Sequence, residues 1–400
     1  MAEAPEQVAR LRASVAEAVS RYEAKVGVRL PDDAQSDVRL ARFLDAFDGD
    51  VEQAKDAFLE MLQWRSDAKV DELREKEIKD IDVVRQASFP HAELVRSIGE
   101  FGPWLNAGES FEGDLIHLEV LAKVDPSVLL EKLSLERIME HQIGFFEVRG
   151  KHLDDLSVER GKLVRTIQIR DVSNFGMGLL TNAKAIKFIS AILKAGSRNY
   201  PESTKQAIFV DVPASFHTMW GLVSPALRKK TVNKVMFLQA DFHRPLLELV
   251  PARAIHRLEK MRLLAQHDFV DNDQDDDHLP LEQADNLVVP ARGKAYKAYW
   301  LTRTGMRQSV QVSVQPPAGT AKVPNYIATF ASSKQNEDGS GGQVIEIPIQ
   351  ASSPQGVFKF PQDLPQACDS GFLFLEFDNS DAWFSSITVP LKATFAPVRS

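Results

Sequence analysis

YPESTKQAIFVDVPASFHTMWGLVSPALRKKTVNKVMFLQ, residues 200–239, contains two short apolar runs on either side of a longer amphipathic stretch. The runs at 206–212 and 233–239 have the length and composition of buried strands. The stretch between them, 216–230, predicts a helix with a kink at Pro225. One face of this predicted helix carries large apolar side chains at helical spacing: Phe216, Met219, Trp220, Val223 and Leu227. Residues 200–239 therefore predict a strand–helix–strand unit.

The same alternation extends toward the N-terminus. Short apolar runs at 114–121 and 162–172 predict two further strands, and 130–148 and 177–198 predict helices. Strands that alternate with helices in this way indicate an α/β lobe with a mainly parallel sheet, because parallel neighbours need crossover connections. A further helix is predicted near 244–266.

The segment before these strands has a purely helical pattern. Residues 5–27 repeat apolar side chains every three or four positions, and 35–80 continue with the same period. Gly49 interrupts this second stretch and predicts a break between two helices. We therefore expect a small N-terminal helical lobe.

The C-terminal third changes to a β pattern after an acidic run, DFVDNDQDDDHLPLEQAD, whose charge density is typical of a linker. Alternating apolar runs then recur between Gly, Pro, Ser and Asn clusters, which indicates a β-sandwich. The whole chain is predicted as four regions: a helical lobe at 1–84, an α/β lobe at 85–267, a linker at 268–286 and a sandwich at 287–400.

The composition is that of an ordinary globular protein. The 400 residues include 44% hydrophobic and 26% charged residues, and the net charge of −8 argues against a basic surface for nucleic acid. Cys368, the single cysteine, excludes an internal disulfide framework. No apolar stretch reaches the 18 or so residues of a spanning helix. We expect a cytoplasmic protein whose membrane contact is peripheral and transient.

Two blocks of the chain resemble the CRAL-TRIO family of lipid carriers. The first block comprises Leu40–Phe47, Asp50-Val51 and Trp64-Arg65; the second comprises Tyr200-Pro201-Glu202, Val212-Pro213, Phe216, Pro225, Thr231 and Lys234. The C-terminal tract Phe377–Ser380, followed by Trp383-Phe384, is similar to the end of a GOLD domain. In this order the motifs resemble the arrangement of patellins and supernatant protein factor.

The resemblance implies non-catalytic lipid binding and transfer between membranes. A sheet would form the floor of an apolar pocket, closed by a mobile helix that we call the gate segment, residues 216–227. Large apolar groups shelter acyl chains from water at about 0.8 kcal/mol per buried methylene. The implied ligand is phosphatidylinositol, another phospholipid or another hydrophobic molecule, with no cofactor beyond the bound lipid. Packing in the core is the alternative interpretation of the same apolar face.

The family's headgroup positions are only partly retained. The resemblance places Glu202 and Lys234 at inositol-binding positions, where lysine attracts phosphate and a carboxylate accepts sugar hydroxyls. Thr166 and Gln168 take positions that face phosphatidylcholine in some relatives. At three positions where the family pattern has arginine, this chain has a different residue: Asp45, Phe47 and Ser203. These losses leave the headgroup preference open.

An enzyme is the first alternative. Asp171, Asp211, Asp241 and His243 follow probable parallel strands, where α/β enzymes place their sites. The chain nevertheless lacks a GxSxG elbow, a glycine-rich phosphate loop and an HExxH motif. No catalytic residue is therefore predicted.

Two binding alternatives also stay open. Asp271, Asp273, Asp275 and Glu282 fit positions 1, 3, 5 and 12 of a calcium loop, but Asp276 replaces the glycine of position 6. We therefore assign no metal ligand. The second alternative is an adaptor in membrane trafficking whose GOLD-like region binds a protein partner, through edge strands or aromatic residues such as Trp300, Phe372 and Trp383.

Overall fold

A computed structural model describes residues 4–78, 90–91, 105–121, 131–173, 182–266, 281–320, 324, 326–349, 355–382 and 385–397. The chain divides into two compact units. The first comprises Met1–Asn106 and Asp114–Ala240, and the second comprises Ala107–Gly113 and Asp241–Ser400. The predicted fold class, with a helical region, a mainly parallel α/β region and a C-terminal all-β region, is confirmed.

The helical lobe of the first unit contains helices α1 (Ala4–Val26), α2 (Asp37–Ala46), α3 (Val51–Asp67) and α4 (Val70–Glu77). The carboxylate of Asp50 accepts hydrogen bonds from the Glu52 and Gln53 amides and so caps α3. Gly49 adopts φ +85° just before this cap, which confirms the predicted break. The apolar faces of the first three helices form one core that includes Leu11, Phe43 and Phe58.

The α/β lobe contains strands β2 (Leu115–Val120), β3 (Thr166–Asp171), β4 (Thr204–Val210) and β5 (Val235–Phe237), adjacent in this order and parallel throughout. Strand β1 (Leu105–Glu109) runs across the boundary between the units. Helix α5 (Leu135–Arg160) links β2 to β3, and helix α6 (Ala183–Asn199) links β3 to β4. Ser134 caps α5 and Asn182 caps α6, each by accepting backbone amide hydrogen bonds.

The gate segment differs from the single kinked helix that the sequence predicts. Helix α7 spans Ala214–Val223 and is followed by a 3₁₀ turn at Ser224–Ala226, and the short helix α8 covers Lys229–Val232. Pro225 lies in the turn, where its missing amide cannot continue an α-helix. Leu227 is extended, with φ −101° and ψ 156°. The predicted gate residue Leu227 therefore lies outside any helix.

The second unit contains two four-stranded antiparallel sheets. One has the order β10-β9-β12-β7 and the other β11-β8-β13-β6. The strands are β6 (Glu282–Val289), β7 (Lys294–Thr302), β8 (Ser309–Val314), β9 (Tyr326–Gln335), β10 (Gly342–Ile349), β11 (Gln355–Lys359), β12 (Ser370–Asp378) and β13 (Ile387–Ala396). Side chains from both sheets, including Val312, Phe330, Leu375 and Leu391, share one core.

Two helices within the predicted region 85–267 belong to the second compact unit. These are α9 (His243–Leu247) and α10 (Ala252–Gln266). His256 of α10 stacks on Trp300 with a ring-centroid distance of 4.2 Å, and His243 of α9 lies 5.2 Å from the Phe372 ring. The outer face of this sheet is aromatic, so covering it with helices removes apolar surface from water.

Strand β6 also begins earlier than predicted. Residues 282–286, which the sequence analysis places in the linker, pair with β13 in an antiparallel register. The residues alternate between exposed (Glu282, Ala284 and Asn286) and half-buried (Gln283 and Asp285), so polar groups lie on both faces of this edge strand. Because almost all of these residues are polar, the sequence shows no apolar alternation that would predict a strand. Strand β11 was not predicted either.

Candidate functional site

The first unit encloses a cavity of about 160 Å³ between its sheet, helices α5 and α6 and the segment after β4. The predicted site residues Glu202, Lys234, Gln168, Trp220 and Leu227 line it. Aromatic side chains of Phe145, Phe146 and Phe209 supply much of the apolar wall. The cavity therefore combines polar and aromatic surfaces, as expected of a site for an amphipathic ligand.

Glu202 and Lys234 are in direct contact. Lys234 Nζ donates to Glu202 Oε2 at 2.7 Å and to the Thr204 carbonyl at 3.0 Å. Arg165 Nε lies 3.3 Å from the same Glu202 oxygen, and the Glu202 side chain is only 7% exposed. Glu202 adopts φ +52°, a left-handed conformation that is costly for a residue with a side chain. The structure thus holds the two charges as a mutually neutralised pair.

Thr166 and Gln168 are both buried on the same face of β3. Gln168 Nε2 donates to Thr204 Oγ1 at 2.8 Å and to Thr166 Oγ1 at 3.2 Å, and Thr166 Oγ1 donates to the Ser203 carbonyl at 3.0 Å. Gln168 lines the cavity, whereas Thr166 is not among its lining residues. In this geometry Thr166 orients Gln168.

The predicted gate residues separate into two groups. Phe216, Met219 and Val223 are almost fully buried in a cluster with Val172 and Val212. The second group, Trp220 and Leu227, lines the cavity, where the Trp220 ring lies 6.3 Å from Phe209 and 5.9 Å from Phe237. Both interpretations of the apolar face therefore have counterparts in the structure, core packing for three residues and cavity wall for two.

Residues that replace family arginines have specific contacts of their own. Asp45 forms an ion pair with Arg165, and the ring of Phe47 lies under the Arg228 guanidinium at 4.7 Å. Ser203 is buried and donates to the Tyr200 carbonyl at 2.7 Å. Arg228 and Lys230 line the cavity, so this side of it keeps positive charge despite the substitutions.

A second group of charges in the cavity was not predicted as a site. We call Glu119, Arg149 and Arg170, with the adjacent His117, the arginine cluster. Glu119 and Arg170 are register partners on β2 and β3, and Arg170 Nε donates to the Glu119 carboxylate. His117 Nε2 lies 2.9 Å from Glu119 Oε1. Arg149 projects from α5 and lies over the Phe145 and Phe146 rings at 5.0 and 5.4 Å.

The sequence does carry a signal for part of this cluster. Side chains two residues apart in a strand share a face, so His117 and Glu119 point the same way, as do Thr166, Gln168 and Arg170. Both strands therefore alternate polar residues with buried Ile and Leu. Parallel buried strands usually read as continuous apolar runs, and this departure indicates a polar cavity face. No comparable signal distinguishes Arg149 within its helix.

Burial and neighbouring charges set the protonation of the cluster. Burial alone would raise the pKa of Glu119, but Arg170 and His117 outweigh it and hold that pKa well below its usual range. Burial lowers the pKa of His117 despite the nearby Glu119, so the imidazole is neutral near pH 7. Burial, reinforced by the Arg170 charge, lowers the pKa of Arg149 to about 10. Arg149 thus still carries its charge at neutral pH.

The first sequence block positions the second through buried ion pairs within the first unit. Arg42 Nε donates to Asp154 at 2.6 Å, and its Nη1 donates to the Glu202 carbonyl at 2.8 Å. Arg65 pairs with Glu147 at 2.9 Å, and Glu147 in turn accepts a hydrogen bond from the Tyr200 hydroxyl. The arginines of the 40–65 block therefore fix the Tyr200-Pro201-Glu202 turn instead of facing a ligand.

The positions of the candidate catalytic residues give little support to an enzyme. Asp171 Oδ1 accepts the Ser173 amide at 2.8 Å, as a turn-capping aspartate does, and Asp241 and His243 belong to the second unit. Asp271, Asp273 and Asp275 lie outside the described residues, so the calcium hypothesis stays untested. Trp300 and Phe372 are buried, which removes them from the predicted partner surface, while Trp383 lies outside the described residues.

No helix within the described ranges is both long and apolar enough to cross a membrane. Residues 110–257 match the family model of the CRAL/TRIO domain. This match includes the cavity residues from Glu119 to Val235 and confirms the resemblance stated for the α/β lobe. The GOLD resemblance of the β-sandwich stays a prediction.

Curated relatives match about half of the chain. A phosphatidylinositol/phosphatidylcholine transfer protein, SFH4 of Arabidopsis thaliana, is 28% identical over 215 residues, which are 53% of this chain and 33% of that protein. SFH7 of the same plant is 26% identical over 216 residues, 53% of this chain and 37% of that protein. The Sec14 cytosolic factor of Schizosaccharomyces pombe is 24% identical over 218 residues, 54% and 71% of the two chains. This chain thus spans only about a third of the two plant proteins.

Among solved structures, Sfh5 aligns with a TM-score of 0.42 at 15% identity and covers 60% of this chain and 81% of that one. A score of this size supports no conclusion about function.

Proposed function

Because residues 110–257 form a CRAL/TRIO domain, we propose that this protein binds one phospholipid in the cavity of the first unit and transfers it between membranes. The observation that carries the proposal is the composition of the cavity wall within the matched residues. The lining combines polar groups on β3 and β4, Gln168 and Thr204, with the aromatic side chains of Phe209 and Trp220. An amphipathic ligand with a polar headgroup and apolar chains satisfies both surfaces.

The relatives indicate the lipid class. Two of them are described as phosphatidylinositol/phosphatidylcholine transfer proteins, and this supports a phospholipid as the ligand here. We propose that Glu202 and Lys234 contact an inositol headgroup, and that Gln168, oriented by Thr166, contacts the headgroup of another phospholipid. No covalent step is part of the proposal, and it requires no cofactor other than the lipid.

Lipid entry requires the cavity to enlarge. A volume of about 160 Å³ is below the roughly 300 to 1,000 Å³ of pockets that hold drug-sized ligands, and a phospholipid is larger still. Trp220 and Leu227 line the cavity from the gate segment, next to the break at Pro225. Movement of this segment away from Phe209 and Phe237 would enlarge the cavity where its wall is apolar. We propose that this movement is the loading step.

The surface of the gate segment supports transient contact with a membrane. Leu222 is 56% exposed, and Lys229 is exposed nearby in sequence. Exposed apolar side chains next to lysines favour the interface of an anionic membrane, where each basic residue contributes about 1 kcal/mol. The Sec14 cytosolic factor is a relative, which supports action in the cytoplasm with such transient contact.

The proposal is tested by lipid loading of the full chain. Native mass spectrometry after incubation with vesicles of phosphatidylcholine and phosphatidylinositol should detect one bound lipid per chain. Trp220→Asp should abolish loading, because it places a carboxylate in the apolar wall. The matched control is Val158→Asp, at a position 70% exposed on α5, which should load normally. A folded Trp220→Asp protein that loads as well as the wild type would contradict the assigned cavity.

A further inference from the structure

Arg149 is the least satisfied charge of the cavity. Its residue surface is 6% exposed, and its Nε atom is buried without a hydrogen-bond partner. Within the described part of the chain no carboxylate forms a salt bridge with it, and its close contacts are the faces of Phe145 and Phe146. An isolated buried charge costs several kcal/mol, so such a residue normally has a partner.

The nearest carboxylate is already engaged. Glu119 accepts a hydrogen bond from Arg170 Nε and lies 2.9 Å from His117, and its pKa is held low by these partners against the effect of burial. One carboxylate therefore serves two guanidinium groups, and His117 is neutral near pH 7. The arginine cluster carries an excess of one positive charge, which sits on Arg149.

The same excess extends to the cavity as a whole. Among the residues that the structure describes, its lining contains five cationic side chains and two carboxylates, a formal charge of +3, whereas the chain as a whole carries −8. Low-dielectric walls strengthen the attraction of such a site for an anion. The basic character is local to the cavity and therefore points to the ligand.

We propose that Arg149, assisted by Arg170, binds a phosphate group of the ligand inside the cavity. Arginine suits this role because its planar fork can donate two hydrogen bonds to phosphate oxygens. The Glu202–Lys234 pair is less available, since each charge already neutralises the other at 2.7 Å. The inference rests on the proposed function where the phosphate belongs to a lipid, but a free phosphate presents the same chemistry.

The first experiment compares uptake of phosphatidylcholine with uptake of diacylglycerol that bears the same acyl chains, from neutral vesicles. Wild-type protein should prefer the phospholipid, and Arg149→Gln should reduce that preference roughly ten- to hundredfold, the value of a lost charged hydrogen bond. Arg149→Lys should retain an intermediate preference. Arg137→Gln removes the same charge from an exposed position of α5 and should change nothing. An unchanged preference in Arg149→Gln would overturn the proposal.

The second experiment measures melting temperature with and without inorganic phosphate, and it separates a phosphate site from a purely structural arginine. Without phosphate, Arg149→Gln should melt at or above the wild-type temperature, because an unpaired buried charge is gone. Phosphate should raise the melting temperature of the wild type more than that of the variant. A variant that melts well below the wild type and responds equally to phosphate would show that Arg149 only supports packing.

The two proposals fail separately. If wild-type protein loads neither lipid but phosphate protects it through Arg149, the lipid function is wrong and the phosphate site stands. If wild-type protein loads phospholipid and Arg149→Gln loads it with the same preference, the lipid function stands and the phosphate assignment is wrong.

Discussion

The Glu202–Lys234 pair and the arginine cluster line the same cavity and differ in whether their charges are already matched. Lys234 Nζ and Glu202 Oε2 are 2.7 Å apart, with Arg165 alongside, so a ligand must compete with existing ion pairs. Arg149 has no such partner among the described residues. A buried matched pair is explained by folding alone, whereas a buried unmatched charge calls for a ligand. Whether a buried charge already has a partner in the protein therefore indicates the ligand better than the presence of the family's residues does.

The largest effect is expected at Arg65, a buried arginine that forms ion pairs with two carboxylates. Arg65→Ala should lower the free energy of unfolding by about 3 to 5 kcal/mol, because it removes the cation that pairs with the buried Asp71 and leaves the buried Glu147 with Arg74 alone. Urea denaturation measures this change. Arg12→Ala breaks an exposed ion pair with Asp37 and should cost less than about 1 kcal/mol. Similar losses in the two variants would mean that burial does not decide the value of these pairs.

The same network predicts a dependence on pH. Burial would raise the pKa of Glu147, but Arg65 and Arg74 outweigh it and hold the pKa far below its unfolded value. A depressed carboxylate contributes stability that is present above its unfolded pKa, about 4.3, and is lost as pH falls toward the folded pKa. Unfolding free energy should therefore fall below about pH 4.3 by an amount that Glu147→Gln reduces. An unchanged pH profile in that variant would remove Glu147 from the explanation.

The smallest effect is expected at the pair that faces the cavity. Lys234→Ala should leave the fold intact, since Arg165 still lies 3.3 Å from Glu202, and should cost about 1 kcal/mol or less. It should reduce phosphatidylinositol transfer up to about tenfold more than phosphatidylcholine transfer, one charged hydrogen bond being lost. Lys25→Ala, at an exposed position of α1, is the control. Equal reduction for both lipids would show that the pair does not distinguish headgroups.

Periodicity and motif order were sufficient for the architecture. The strand–helix–strand pattern of 200–239 and the helical period of 5–27 correspond to β4, α7, β5 and α1. Local rules failed where long-range burial decided the outcome. Helices α9 and α10 pack on aromatic side chains of the sandwich, and β6 forms from a polar run because β13 offers it a partner. The local sequence of these segments does not indicate which part of the chain they pack against.

The candidate site divides in the same way. The motif spacing brought Glu202 and Lys234 together, and the alternation of polar residues on β2 and β3 marks Glu119 and Arg170 for a reader who compares the strands. Arg149 is different, because an arginine within a long helix is ordinarily exposed. Phe145 and Phe146 contact it from four and three residues earlier on the same helix. Only the tertiary packing of α5 buries it without an ion pair to any of the described residues.

By itself the sequence determined most of the elements and their order, because hydrophobic period and capping residues act over a few positions. The tertiary structure decided which charges are neutralised. Whether a buried guanidinium meets a carboxylate depends on side chains brought together from distant parts of the chain. Arg42 and Asp154 meet across 112 residues and Arg65 and Glu147 across 82, whereas Arg149 forms no ion pair with the residues that the structure describes. Electrostatic energy depends on distance in space and on local burial, and neither can be read from spacing along the chain.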